Sequence, residues 1–339
     1  MQRTEPSIDD PLTGRPSTLH DVAARVGVSP RTVSRVVRDE GGFSEATRQR
    51  VLEVVEELNY RPNVHARGLI SGRSGTIAFV APVLSDPFFP ELAEGVQRAA
   101  RAQGLTVLFA MSDSDPEVQD EVLTSLEGHR PDGVVIFPAA GGPAPLVPFL
   151  DRGLPMVIVD TVLHHRNAVS VCSDLAAGAV SAVRHLLDRG CRQLAMLTDF
   201  PTRNLEQERR QAFLATLPPD MEPVVVESEI TLQGGRDATA DLVERRPDVD
   251  GLFCFNDVMA IGAVQAIQAA GRTVPDDVAV VGFDDIQMGA VISPSLTTVR
   301  IDRERVGAEA VQQVVALADG SSTGEMVVLP VDLIERDSA

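Results

Sequence analysis

Eight apolar runs, "TIAFVAP", "LTVLFAM", "DGVVIFP", "PMVIVD", "CRQLAMLTD", "PVVVES", "GLFCFND" and "VAVVGFDD", follow one another with amphipathic helical stretches between them. Near-continuous Val/Ile/Leu strands that alternate with helices demand parallel sheets covered on both faces. Spread over the larger part of a 339-residue chain, they make two doubly wound α/β lobes. In such folds ligands sit beyond the carboxyl ends of the strands. The residues just after the runs therefore point to a site: Asp86, Asp160, Thr198, Asn256, Asp257, Asp284 and Asp285.

The residues ahead of this pattern have a different rhythm. Residues 1–16 mix Pro, Gly, Asp and Thr and read as a disordered extension. Three short helices follow. Thr18 caps the first, with Asp21 completing a capping-box variant and Gly27 ending the helix. Ser29 caps the second, with Pro30 at its first position, where the missing N–H costs nothing. Ser44 caps the third, Glu45 to Leu58, with an apolar stripe of Val51, Leu52, Val54, Val55 and Leu58. Helix, the turn "GVS", helix and a bracing third helix form a helix-turn-helix over residues 17–62. Its second helix carries Arg31, Arg35 and Arg38 among Ser and Thr. In this arrangement the second helix lies in the major groove, and arginine binds guanine O6 and N7 bidentately. A solvated amphipathic helix is the alternative for that segment alone; three capped helices in close succession argue against it.

Charge supports a division of labour. The chain carries formal net charge −19. Residues 17–73 are close to neutral, with nine Arg against seven acidic residues. An acidic body repels DNA at long range, so contact with DNA falls to the head. All 30 basic residues are Arg, which reads as coding bias. A hydrophobic fraction of 44% with 23% charged residues fits a soluble globular protein. No run approaches the roughly 20 apolar residues that span a bilayer, and the N-terminus has no apolar signal core, so a cytoplasmic location is expected. Cys172, Cys191 and Cys254 are far apart and lack metal-ligand spacing; buried reduced thiols are expected.

No nucleophile elbow, HExxH, P-loop or GxGxxG after a strand is present, and the six His lack ligand spacing. Neither metal nor catalysis is expected. Asp, Asn and Arg at converging strand ends suit a ligand with several hydroxyls or ring nitrogens, although for any one of them taken alone capping or strand termination is the favoured reading. Phe88 and Phe89 open a helix after the first run and either wall a cleft or pack the helix.

The segments "TLHDVAARVGVSPRTVSRVV", "ELNYRPN", "DPFF", "CFND", "VPDDVAVVGFDD" and "PSLTTVRID", in this order and spacing, resemble the LacI/GalR family of bacterial transcription regulators from about Thr18 to Ser338. The resemblance implies a homodimer whose paired heads bind the two halves of a pseudo-palindromic operator, while a two-lobed core like that of periplasmic sugar-binding proteins senses a small-molecule effector. It implies a DNA-facing set of Thr18, His20, Ser29, Pro30, Arg31, Thr32, Ser34 and Arg35. A hinge over 63–73 adds Asn63, Ala66 and the minor-groove wedge Leu69, with Gly68 making that hinge reluctant to become helical. Asp86, Phe89, Asp160, Arg203, Arg209, Ile230, Asn256 and Asp284 become the effector set of residues 74–338. The first lobe takes 74–172 with 303–320, the second 173–302 with 321–338. Ile230 stands where the lac and purine repressors place a stacking aromatic, and Ala212 replaces a usual Gly after the effector arginine. Loss of the ring implies a sugar over a flat nucleobase. The end "LIERDSA" carries no Leu heptad, which implies a dimer. No cofactor is implied. A solute-binding protein explains the core but not the head, and an enzyme on the same fold lacks a catalytic set.

Overall fold

The computed structural model describes residues 17–37, 39–61, 73–200 and 207–339. It comprises two units, Met1–Ser74 and Gly75–Ala339. The extension 1–16, Arg203 and nearly all of the expected hinge, including Asn63, Ala66, Gly68 and Leu69, lie outside the described residues.

In the first unit, α1 (Leu19–Val26), α2 (Pro30–Val37) and α3 (Glu45–Glu57) surround a small core of Val22, Ala23, Val26, Val33, Val36, Val51 and Tyr60. The capping box is present: Thr18 N donates to Asp21 Oδ2 at 2.8 Å, and Asp21 N donates back to Thr18 Oγ1 at 3.3 Å. Gly27 ends α1 at φ 76°, a left-handed turn that glycine adopts without cost. Ser29 Oγ accepts from Thr32 N at 3.1 Å, and Ser44 Oγ from Thr47 N at 3.2 Å. The expected stripe of α3 is too wide. Leu52 is 40% exposed, because two eight-residue helices cover only part of a third.

The second unit runs β1 (Thr76–Ala81), α4 (Phe88–Ala102), β2 (Thr106–Met111), α5 (Pro116–His129), β3 (Gly133–Ile136), α6 (Val147–Asp151), β4 (Met156–Val159) and β5 (Ala168–Ser173). It continues with α7 (Leu175–Asp188), β6 (Leu194–Thr198), α8 (Gln207–Thr216), β7 (Val224–Glu227), α9 (Leu232–Arg245), β8 (Gly251–Cys254), α10 (Asp257–Ala269) and β9 (Ala279–Asp284). The last elements are β10 (Thr297–Arg300), α11 (Arg303–Asp319), β11 (Val327–Leu329) and β12 (Asp332–Ile334).

Two six-stranded sheets result, in the orders β11-β5-β4-β3-β1-β2 and β12-β10-β9-β8-β6-β7. All pairings are parallel except that of β12 with β10. Both faces of the first sheet are buried: Ile77, Phe79 and Ala81 join one cluster, Ala78 and Val80 another. That is why its strands read as unbroken apolar runs. Two glycines let α4 and α11 pack closely. A Cβ on Gly307 would lie 2.6 Å from Val96 N, and one on Gly95 2.9 Å from the Arg303 carbonyl.

The chain passes between the sheets three times: after β5, after β10, and between β11 and β12. The last crossing corrects the expected boundary at residue 321. Val327–Leu329 pairs with Val171–Ser173 in the first sheet, so the chain returns to the second only after Leu329. The run "VVLPVDLI" is two edge strands, one per lobe, divided at Pro330, which has no N–H to continue a ladder.

Candidate functional site

Each strand of the inner sheets ends in a loop, and eight of these loops frame one cleft of about 310 Å³. Asp86 follows β1, Ser114 β2, Phe137 β3 and Asp160 β4; Asp199 follows β6, Ile230 β7 and Asn256 β8, and Asp284 ends β9. Seven of the eight expected effector residues line it: Asp86, Phe89, Asp160, Arg209, Ile230, Asn256 and Asp284. Three other strand-end residues do not line it. Asp285 pairs with Arg300 at 2.6 Å and Arg336 at 2.5 Å. Thr198 is buried away from the cleft wall.

Asp257 is the third. It is the first residue of α10, whose cap is Asn256. It is fully buried beneath the loop after β9, accepting from Thr298 Oγ1 at 2.5 Å and Ile286 N at 2.8 Å. Gly282 makes room for it: a Cβ there would sit 2.1 Å from Asp257 Oδ1. Burial pushes its carboxyl up to about 7, with Asp285 adding to the rise and both hydrogen bonds opposing it.

The polar groups of the cleft are held by their own elements. Asn256 Oδ1 accepts from Met259 N at 3.0 Å as the N-cap of α10. That fixes the amide, and its Nδ2 donates to Asp86 Oδ2 at 3.0 Å, from one lobe to the other. Asp86 Oδ1 accepts from Phe88 N at 2.9 Å. Asp160, at φ 51°, accepts from Ser173 N at 2.7 Å. Asp284 is buried at φ 109°, and its carbonyl accepts from Arg303 Nη1. Both backbones lie in the left-handed region, where Asp is among the residues that tolerate it best.

Arg209 is buried on α8 rather than lying on a helix surface. Its guanidinium lies 4.2 Å from the Phe255 ring centroid and 4.1 Å from that of Phe283, and its Nη1 donates to the Phe255 carbonyl at 2.5 Å. Its Nε has no partner. Burial pushes this cation's pKa down, while Asp284, Asp160 and Asp86 pull it up. The same burial pushes Asp284 well above the ordinary carboxylate value, and Asp86 and Asp160 above it, with Arg209 opposing all three.

Phe88, Phe89 and Phe137 pack edge to face along one wall, with centroids 5.2–6.2 Å apart. Phe88 is buried, Phe89 half-buried, and both line the cleft. Sequence reasoning missed Phe137, Phe255, Asp199 and Glu229 as lining residues. Phe255 stood within the "CFND" segment and was legible there; the others carried no distinguishing signal. The cysteines are free, with Cys254 alone fully buried; burial pushes the Cys172 thiol up to about 12 and Cys191 up to about 11.

In the head, Thr18, His20, Ser29 and Arg31 are exposed, and Pro30, Thr32, Ser34 and Arg35 half-buried. The Arg35 side chain folds back to donate to the Gly41 carbonyl at 2.5 Å. Arg31 and Arg35, one turn apart on α2, lie opposite the buried Val33 and Val36.

Comparisons with known proteins bear on both units. The profile described as "Bacterial regulatory proteins, lacI family" matches residues 18–63, and that of a periplasmic binding protein-like domain matches 183–339. The ribose operon repressor of Halalkalibacterium halodurans is 34% identical over 84% of this chain and 85% of its own. The lac repressor dimer bound to operator and an anti-inducer superposes with TM-score 0.86 at 26% identity, over 96% of this chain and 99% of that one. The transcriptional regulator CelR in complex with cellobiose gives TM-score 0.71 at 30% identity, over 95% and 100%. Among the described residues no helix is long and apolar enough to cross a membrane. A helix-turn-helix head, a two-sheet core with its cleft at the strand ends, and this likeness across nearly the whole length place the chain in the lacI family of bacterial regulatory proteins, as a transcription regulator rather than an enzyme.

Proposed function

We propose that this regulator is a homodimeric repressor whose affinity for a pseudo-palindromic operator is set by a carbohydrate in the cleft, with no cofactor beside that effector. It works in the cytoplasm, on the nucleoid when bound to its operator. The observation that carries this reading is the hydrogen bond from Asn256 to Asp86. It joins loops of the two lobes inside the cleft, so a ligand that inserts between them acts on both lobes at once. A ligand shifts an equilibrium between lobe arrangements only by its differential affinity for them, and a cleft shared by both sheets supplies that difference.

The head reads DNA. Arg31, exposed near the start of α2, selects bases, and Arg35 contributes to every good operator once it leaves the Gly41 carbonyl. Thr18, His20, Ser29, Pro30, Thr32 and Ser34 position the head, with Asn63, Ala66 and Leu69 contributing from the hinge. In the core, Arg209 and Asp160 hold hydroxyls, Asn256, Asp86 and Asp284 orient the ring, and Phe89 and Ile230 cover its apolar face. Arg203 completes the set. Carbohydrate is favoured because relatives of this chain are a ribose operon repressor and a cellobiose-bound regulator, and because Ile230 offers no ring for a flat base to stack on.

Selection of genomic fragments bound by the purified full-length protein tests the DNA half, and release of the selected fragment by a carbohydrate panel tests the other. Binding without sequence preference overturns the repressor reading; release by none of the sugars overturns the effector class.

A further inference from the structure

The chain at the end of β9 carries two consecutive residues at positive φ, Asp284 at 109° and Asp285 at 54°. Outside glycine, such a pair persists only where its surroundings hold it. Part of the hold comes from the second lobe itself. Thr298 Oγ1 accepts from Asp285 N at 3.3 Å, Asp257 Oδ2 accepts from Ile286 N, and Arg300 and Arg336 pair with the Asp285 carboxylate.

The rest comes from the first lobe. Arg303 opens α11, a helix that packs on α4 and on β3, β4 and β5 of the first sheet. Its Nη1 donates to the Asp284 carbonyl, and its Nη2 to the Asp285 carbonyl at 2.9 Å. The same Nη2 pairs with Glu91 Oε2 of α4 at 2.8 Å, and Glu91 Oε1 accepts from Gln287 N at 3.4 Å. One ion pair of the first lobe thus grips three backbone groups of the second. Its side chains are only 15% and 20% exposed, so water and salt screen it less than a surface pair. A second pair, Arg98 with Glu304 at 2.7 Å, joins the same two helices across the surface. Asp284 lines the cleft, and Phe88 and Phe89 of the facing wall stand on the turn of α4 just before Glu91.

We propose that Arg303, braced by Glu91, is a positioning residue for the effector site: it fixes from the first lobe the backbone that aims Asp284 into the cleft, so this carboxylate is in place only while the lobes keep the present arrangement. The inference rests on reading the cleft as the effector site, and it names a source for the difference in affinity between lobe arrangements. A movement that withdraws α4 from Gln287 takes the brace from Arg303 and releases a strained backbone. A ligand bound through Asp284 therefore favours the arrangement in which the grip is closed.

Hydrogen exchange in the full-length, ligand-free protein tests the grip. In Arg303→Met the fragment covering 284–288 is expected to exchange about tenfold faster than in the wild type, the response to losing a charge-assisted bond, while α4 and α11 stay protected. Glu91→Gln is expected to move the same fragment in the same direction, and Glu304→Gln, which breaks the surface pair between the same helices, to leave it unchanged. An unchanged loop in Arg303→Met overturns the proposal. So does loosening confined to α4 and α11, or a loop as fast in Glu304→Gln, since either shows a bond that merely cements two helices. Exchange in β1 and β9 reports whether Arg303→Met folds; if it does not, Glu91→Gln decides. The second arm is calorimetry with D-ribose, D-glucose, D-galactose and cellobiose. A sugar that binds the wild type is expected to bind Arg303→Met about tenfold more weakly and Glu304→Gln equally. Equal affinity for Arg303→Met overturns the positioning of Asp284. Silence from all four sugars counts against a carbohydrate effector and leaves the grip to the exchange measurement, which needs no ligand.

Discussion

At Asp257 a single carboxyl links pH to the stability of the core. Its pKa stands at about 7 in the folded chain against an ordinary 3.8, so folding holds its proton. The stabilisation is complete below the unfolded value and is lost as pH rises from about 4 to about 7, on the order of a few kcal/mol across that range. Asp257→Asn copies the protonated acid: its oxygen accepts from Ile286 N and its amide donates to Thr298 Oγ1. We expect the variant to melt above the wild type at pH 8 and to lose most of the pH dependence between 4 and 7, as followed by thermal denaturation. Equal slopes for the two proteins would show that Asp257 does not titrate there. Arg209 is the second decisive residue. Arg209→Met retains much of the packing between Phe255 and Phe283 but removes a charge-assisted contact worth about 1.5–3 kcal/mol. Effector affinity is expected to fall 10- to 100-fold by calorimetry while operator affinity in the absence of effector stays unchanged, because the head has its own core.

At the scale of elements, the approach of α4 to α11 has no room for a methyl group. Gly307→Ala would force the helices apart at Val96 N and is expected to cost about 1–3 kcal/mol of core stability. Chemical denaturation reads this as a lower midpoint with an unchanged slope. In α2 the exposed Arg31 and the folded-back Arg35 are expected to separate in function. Arg31→Ala should reorder operator preference, each bidentate guanine contact being worth about 1–3 kcal/mol, whereas Arg35→Ala should weaken every operator by a similar factor. An unchanged ranking in a binding selection with Arg31→Ala would remove that residue from base reading. The elements legible in the sequence were those with continuous apolar runs or clear caps. β5, "AVSVCS", and β10, "TTVR", escaped because buried Ser and Thr stand where aliphatic residues were looked for. Their hydroxyls have partners: Ser170 Oγ accepts from Leu163 N at 3.1 Å, and Thr297 Oγ1 donates to the Arg336 carbonyl at 3.1 Å. A buried hydroxyl with a backbone partner is compatible with a strand interior, but that partner lies in another segment, seven residues away for Ser170 and 39 for Thr297, and no local pattern marks it.

On the scale of the whole molecule, the candidate site was legible because parallel sheets place every loop after a strand at the same end. Knowing the strands was enough to nominate Asp86, Asp160, Asn256 and Asp284. It was not enough to separate these from Asp257 and Asp285, which follow strands equally but turn into the protein, toward Thr298 and toward Arg300 and Arg336. The three crossings between the sheets have a consequence for how the protein comes to exist on the ribosome. Each sheet receives an edge strand, β11 or β12, from the last residues of the chain, and Ser338 binds the Val280 carbonyl at 2.6 Å. Neither lobe can complete its hydrogen-bonded edge until β11 and β12 have been made, whereas the head, formed by residues 17–61, can fold long before. A nascent chain thus carries a folded DNA-reading unit ahead of a sensor whose edges are still missing, so any DNA it held at that stage would escape the effector.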